Sequence, residues 1–235
     1  MNEKIDQLNR RFAGAAPSEI LSWSATEYSG KITFSSSLGA EDQAITHILA
    51  MNNLDIPVFT LDTGRIFQET FDLLHVTEEK YRIRIAVYFP DASRVEKMVG
   101  QNGINLFYDS VENRKLCCQI RKIEPLKRAL HGMSVWVTGL RREQSVTRKG
   151  TGLIEWDPVH RLIKVNPLLN WTHDVLWEYI RKNNIPVNEL HRKGYPSIGC
   201  IPCTRAIGPG EDTRAGRWWW ELSQLKECGL HPYKK

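Results

Sequence analysis

Residues 31–43, KITFSSSLGAEDQ, decide the fold. A short β-branched and aromatic run (31–35, KITFS) ends in a Ser/Gly turn (36–39, SSLG), and residues 40–51 then carry helical spacing. That order spells strand, tight loop and helix. The pattern recurs downstream. Residues 56–62 (IPVFTLD) are a second strand, followed by a Thr63–Gly64 turn and an amphipathic stretch from Ile66 to about Lys80. Residues 84–89 (RIAVYF) and 135–140 (VWVTGL) are a third and a fourth strand, with helical spacing over 117–130 between them. Strands that alternate with helices predict an α/β domain with a largely parallel sheet and flanking helices. Upstream, Ile5, Leu8, Phe12 and then Ile20, Leu21, Trp23 follow helical spacing, with Pro17 and Ser18 at a helix start. Residues 172–183 read as a helix capped by Thr172. From Lys193 onward Gly, Pro and Arg dominate. No repeat or low-complexity linker divides the chain, so the expectation is a single domain over 1–235, with 218–235 as a mobile C-terminal tail.

Composition narrows the function. Of 235 residues, 41% are hydrophobic and 25% charged, which suits a soluble fold with a sizeable core. No apolar run approaches a membrane span, and the polar start MNEKIDQLNRRF lacks the apolar middle of a signal peptide, so a cytoplasmic protein is expected. The net charge of +5 is mild. A nucleic-acid binder would show a basic stripe interleaved with aromatics, and none of any length is present. A small polyanion is the better match to the clustered arginines.

Those arginines sit on loops. In an open parallel sheet, ligands bind outside the carboxyl ends of the strands. The loop at 35–40 follows the first strand and opens a helix, so its small residues could let backbone N–H groups approach an anion. It could equally be an ordinary strand-to-helix turn, and it lacks the Walker pattern. Asp62 ends the second strand, where capping the next helix is the commonest role; Arg65 could steer phosphate, and Glu69 follows a turn later. After the fourth strand come Arg141, Arg142, Arg148 and Lys149, enough for a bidentate oxyanion clamp or simply a solvated loop. Arg205, Arg214 and Arg217 lie further on, before Trp218, Trp219 and Trp220, which are expected to pack the tail segment onto the core.

The five cysteines carry the chemistry. In a reducing cytosol structural disulfides are disfavoured. Cys200 and Cys203 form a C-x-x-C, a spacing shared by zinc, iron–sulfur and thiol–disulfide sites. Cys117 and Cys118 bring the count to four thiolates, which suits tetrahedral zinc or a [4Fe–4S] cluster. Adjacent cysteines are awkward for zinc, so spacing leans to the cluster. Cys228 is left over on a polar segment, poorly placed for packing and well placed to enter a site and leave it. A free thiol with a pKa of about 8.5 needs cationic neighbours to become a nucleophile at neutral pH; the arginines and His231 are candidates.

SSSLGAEDQ (35–43), LDTGRIFQET (61–70), CCQIRKIEPL (117–126), WVTGLRREQS (136–145), YPSIGCIPCT (195–204), RAGRWWW (214–220) and ECGLH (227–231), in that order, resemble the assimilatory adenylyl-sulfate (APS) reductases, relatives of the PAPS reductases. The resemblance runs from about Lys31 to His231. It implies a fold like the PP-loop ATP pyrophosphatases, of the adenine nucleotide alpha hydrolase type. The first motif departs from the S-G-G-x-D-S loop of those enzymes, which argues against ATP cleavage.

Carried onto matching positions, the resemblance implies that Cys117, Cys118, Cys200 and Cys203 ligate a [4Fe–4S] cluster. PAPS reductases lack these cysteines, so APS is the implied substrate, with PAPS or dual specificity as the alternative. Lys122 would lie between cluster and substrate. Ser36, Ser37, Leu61 and Gly139 would contact the adenosine, Leu61 and Gly139 through backbone groups. Arg148, Arg214 and Arg217 would hold the phosphosulfate. Cys228 would attack the sulfate sulfur, giving S-sulfocysteine and AMP, and thioredoxin (or glutaredoxin) would release sulfite. A PP-loop ligase or tRNA-thiolating enzyme would need an intact glycine-rich loop and a nucleic-acid surface, and a zinc-stabilised binding module would be colourless where a cluster gives a brown protein. The resemblance leaves homo-oligomerisation open.

Overall fold

β1 (Ile32–Ser35), α3 (Ala40–Met51), β2 (Val58–Leu61), α4 (Gln68–Tyr81), β3 (Ile85–Tyr88) and β4 (Val135–Val137) form where the strand and helix patterns put them. The structure is a computed structural model and describes residues 2–144, 148 and 150–221. Two more strands, β5 (Ile154–Asp157) and β6 (Leu162–Val165), complete a six-stranded sheet in the order β3-β2-β1-β4-β6-β5. The β1/β2, β1/β4 and β4/β6 pairs are parallel, and β5/β6 is antiparallel. Among the described residues no helix is long and apolar enough to cross a membrane.

The chain forms two compact units, each built from three segments. The first comprises Met1–Thr60, Asp72–Ala86 and Leu130–Asn188. Its core is apolar on the central strands: Ile32, Phe34, Val135, Val137 and Val165 are all essentially sealed from water. α1 (Asn2–Arg11) and α2 (Pro17–Glu27) add Ile5, Leu8, Ile20 and Leu21 to it. Pro17 takes the first helical turn, where its missing N–H is harmless. Thr172 caps α8 (His173–Lys182) by accepting from the Val175 amide, as its position before the apolar spacing predicts.

The β5–β6 hairpin does not stand out in the sequence, because its buried faces carry charge. Glu155 and Lys164 are register partners, and their side chains pair at 3.4 Å with both buried. The ammonium also lies over the Trp136 ring. Asp157 accepts from the Val159 and His160 amides and pairs with the His160 ring. Burial alone would raise the Asp157 carboxyl, but the His160 contacts outweigh it and hold the carboxyl below its ordinary value.

The second unit comprises Leu61–Phe71, Val87–Ala129 and Glu189–Lys235. It holds α5 (Ala92–Asn102), capped by Asp91, a helix that sequence spacing did not single out. The helical spacing over 117–130 resolves into three pieces: α6 (Val111–Cys118), one π turn (Gln119–Ile123) and α7 (Glu124–Ala129). Pro125 explains the break, because it has no N–H to donate to the carbonyl four residues back. A π turn there inserts an extra residue between the cysteines and α7, a device common at functional positions.

Phe34 tests the first unit. With its ring fully buried on β1, Phe34→Ala is expected to lower unfolding stability by about 3–5 kcal/mol, read as a lower urea midpoint with an unchanged slope.

Candidate functional site

Four thiols surround one cavity in the second unit. Its wall includes Cys117 and Cys118 at the end of α6, Cys200 and Cys203 on a short 3₁₀ turn, and the cations Arg65, Arg114, Arg121 and Lys122. Ser110 caps α6 by accepting from Asn113. The C-x-x-C segment is pinned by backbone bonds at both ends: the Ile201 amide donates to the Arg65 carbonyl at 2.8 Å, and the Trp218 amide to the Cys203 carbonyl at 3.2 Å. Thr204 Oγ1 ties the turn internally to the Cys200 carbonyl.

The electrostatics divide the thiols. Burial raises Cys117, and burial followed by neighbouring Cys200 pushes Cys203 up to about 12. Burial acts on Cys200 the same way, yet Lys122, the Thr63 hydroxyl at 3.2 Å and Arg217 together bring it below its ordinary value. Thr63 is itself held by Arg121, whose Nη1 donates to its carbonyl at 2.6 Å. Two cavity-lining residues carry a buried N–H with no hydrogen-bond partner, Arg121 Nε and Trp218 Nε1. Buried thiols, cations and two unpaired donors around one cavity fit an anionic, acceptor-rich group held by sulfur.

Trp218 is fully buried between guanidinium groups, Arg114 at 4.8 Å and Arg217 at 4.7 Å from its ring centre. The tryptophan triplet therefore splits: Trp218 is core, whereas Trp219 is half exposed. Arg217 lies against Gly199, where a Cβ would come within 2.4 Å of its Nη2. Arg214 is partly exposed, with its amide donating to Asp212. Several residues flagged by sequence have structural partners. Asp62 accepts from the Gly64 amide at 2.7 Å, Arg65 bonds Asn105 and the Ile104 carbonyl, and Glu69 pairs with Lys193. Leu61 is the last residue of β2.

In the first unit, the strand order reverses between β1 and β4, the place where open α/β sheets bind ligands. Ser36 and Ser37 follow β1, and Thr138 and Gly139 follow β4. The serine loop is not an open anion cradle. Ser37 donates both its amide and its hydroxyl to Asp42, each at 2.6 Å, while Ser36 Oγ accepts from the Leu38 amide. Leu38 adopts a left-handed φ of 60° in this loop. Gly139 is required by close approach, since a Cβ there would fall 2.1 Å from Asp42 Oδ1. Burial pushes the Asp42 carboxyl up to about 6 against the lowering effect of Ser37. Sequence reading missed Asp42, although the AED that follows the loop was its signal.

Of the clamp loop, Arg141 pairs with Glu41 at 2.8 Å and Arg142 bonds Asn170, so both serve the fold. Arg148 bonds Gln144 and lies within electrostatic reach of Asp42. Lys149, Cys228 and His231 lie outside the described residues.

A phosphoadenosine phosphosulfate reductase domain matches residues 31–206. The chain belongs to this family. It is 52% identical over 217 residues to an adenosine 5′-phosphosulfate reductase of Allochromatium vinosum, covering 92% of this chain and 84% of that protein. It is 55% identical over 202 residues to one from Sinorhizobium fredii, covering 86% and 80%. Among solved structures, a phosphoadenylyl-sulfate reductase from Candida auris in a phosphate complex superposes with a TM-score of 0.76 at 26% identity, covering 88% of this chain and 98% of that one. An FMN adenylyltransferase of Candida glabrata (TM-score 0.56, 18% identity, 84% and 63% covered) shares the fold alone. Both the expected sheet and the expected family are borne out.

Asp42 makes a pH prediction for this reductase-family fold. Its folded pKa lies above the ordinary 3.8, so its protonated form stabilises the fold at low pH, and that contribution is lost as pH rises through about 6. From pH 4 to pH 7, Asp42→Asn should therefore gain stability relative to the parent by up to about 3 kcal/mol, read by urea unfolding at each pH.

Proposed function

We propose that the protein reduces adenylyl sulfate to sulfite and AMP in sulfate assimilation, in the cytoplasm, with thioredoxin or glutaredoxin as reductant. The observation that carries this reading is the set of four buried cysteines around one cation-lined cavity, in a chain more than half identical to proteins named adenosine 5′-phosphosulfate reductases.

Cys117, Cys118, Cys200 and Cys203 would hold a [4Fe–4S] cluster. A single tetrahedral zinc needs its donors to meet at one point, about 2.3 Å from each sulfur. Among the described residues no three His, Cys, Asp or Glu side chains form such a single-ion group. A cluster gives each thiolate its own iron and accepts thiols spread around a cavity. When bound, the cluster supplies fixed anionic charge beside Lys122 and tunes the local field.

The chain's own residues then divide the work. Ser36, Ser37, Leu61 and Gly139 bind the adenosine. Because Asp42 already occupies the Ser37 donors, this loop suits the hydroxyls and exocyclic amine of a nucleoside, which can donate, better than a phosphate. Arg148, Arg214 and Arg217 hold the phosphosulfate, and Lys122 stabilises charge on the departing phosphate. The Cys228 thiolate, favoured by these cations and by His231, attacks the sulfate sulfur. The sulfur–oxygen bond to the phosphate breaks, and AMP leaves with the electron pair. A thioredoxin thiolate next attacks Cys228 Sγ. Sulfite departs with its bonding pair, the second thioredoxin thiol resolves the mixed disulfide, and Cys228 is restored while thioredoxin is oxidised.

Purified under anaerobic conditions, the protein should be brown with visible absorption and should lose iron in Cys200→Ala; colourless, zinc-loaded protein would overturn the cluster assignment. Cys228→Ser should abolish AMP and sulfite formation while leaving the visible spectrum unchanged. In parallel assays with thioredoxin, APS should turn over faster than PAPS, and the reverse order would reassign the substrate.

A further inference from the structure

Glu221 is the last described residue, seven positions before Cys228. Its carboxylate is almost wholly buried and meets Arg114 in a two-pronged pair, Arg114 Nε to Oε1 at 2.8 Å and Nη2 to Oε2 at 3.0 Å. The side chains are only 3% and 4% exposed. The Arg114 guanidinium also covers the ring of Trp218, and the Glu221 amide donates to the Trp218 carbonyl at 2.9 Å. Arg114 sits on α6 one turn before Cys117 and Cys118, and it interacts with the Cys118 sulfur as well. One guanidinium therefore touches the cysteine wall, the buried tryptophan and the root of the segment that carries Cys228.

A buried ion pair is a poor way to gain stability, because a well-packed apolar pair usually serves as well or better. What the pair does give is direction: a planar fork meeting a carboxylate fixes distance and orientation together. We propose that the Arg114–Glu221 pair is a latch that fixes the turn Trp218–Glu221 against the cysteine-lined wall, making Arg114 and Glu221 positioning residues for Cys228, seven positions further along the chain. The proposal rests on the function inferred above. Seven residues can extend about 25 Å, so what the latch supplies is a fixed and oriented Glu221 rather than reach. The link from Arg114 to Cys118 ties that orientation to the condition of the cysteine site.

Glu221→Gln tests it, with the apolar pair Arg114→Met/Glu221→Met as a variant expected to keep the fold. Three quantities are read: iron content with the visible spectrum, AMP release from APS in a single turnover without thioredoxin, and hydrogen exchange of the amides at 219–221. Glu221→Gln, which leaves the Arg114 cation in the cavity wall, should keep its iron and its affinity for AMP. Exchange at 219–221 should rise, and AMP release should slow by about tenfold or more, the scale on which small misplacements act. The exchange-reversed pair Arg114→Glu/Glu221→Arg should recover part of the rate. Unchanged exchange at 219–221, an AMP-release rate within about twofold of the parent, or a loss that only follows lost iron would each overturn the latch. If the parent itself releases no AMP from APS, the proposed function fails, and hydrogen exchange still decides whether the pair holds the segment.

Discussion

A thiol taken out of water holds its proton more tightly, and the second unit takes four of them out of water around a single cavity. That constraint explains much of the surrounding sequence. Cations line the wall, and Lys122, Thr63 and Arg217 act on Cys200, where their effect outweighs burial. The flanking backbone bonds to Arg65 and Trp218 keep the C-x-x-C turn from relaxing toward solvent. Remove the need for buried sulfur and neither the π turn nor the stacked guanidinium groups has an evident purpose.

The first unit solves a different problem with a different charge. Its loop after β1 is filled by Asp42, a carboxylate, so the crevice at the strand-order reversal presents acceptors as well as donors. A nucleoside with hydroxyls suits such a surface, whereas a pyrophosphate would meet like charge.

The fold was legible wherever burial and apolar periodicity coincide. β1 to β4, α3, α4 and α8 follow from the sequence because their inward positions are hydrophobic. The β5–β6 hairpin was hidden because Glu155, Asp157 and Lys164 are buried as pairs, which periodicity cannot tell from surface charge. The thiols were legible from identity and spacing. Thr63, Arg121 and Arg114 were not, since their roles come from contacts with residues far away in the chain. Arginine identity alone did not separate roles: Arg141 and Arg142 hold loops together, whereas Arg65 both ties a loop and lines the cysteine cavity.

The cysteine wall joins chain segments that are made at different times. Cys200 follows Cys118 by 82 positions, and β1 pairs with β4 across a comparable gap. Contacts of such long range form slowly. During synthesis, Cys117 and Cys118 leave the ribosome long before their partners exist. If the four thiols hold one group together, as proposed, that group cannot be complete before Cys203 has emerged.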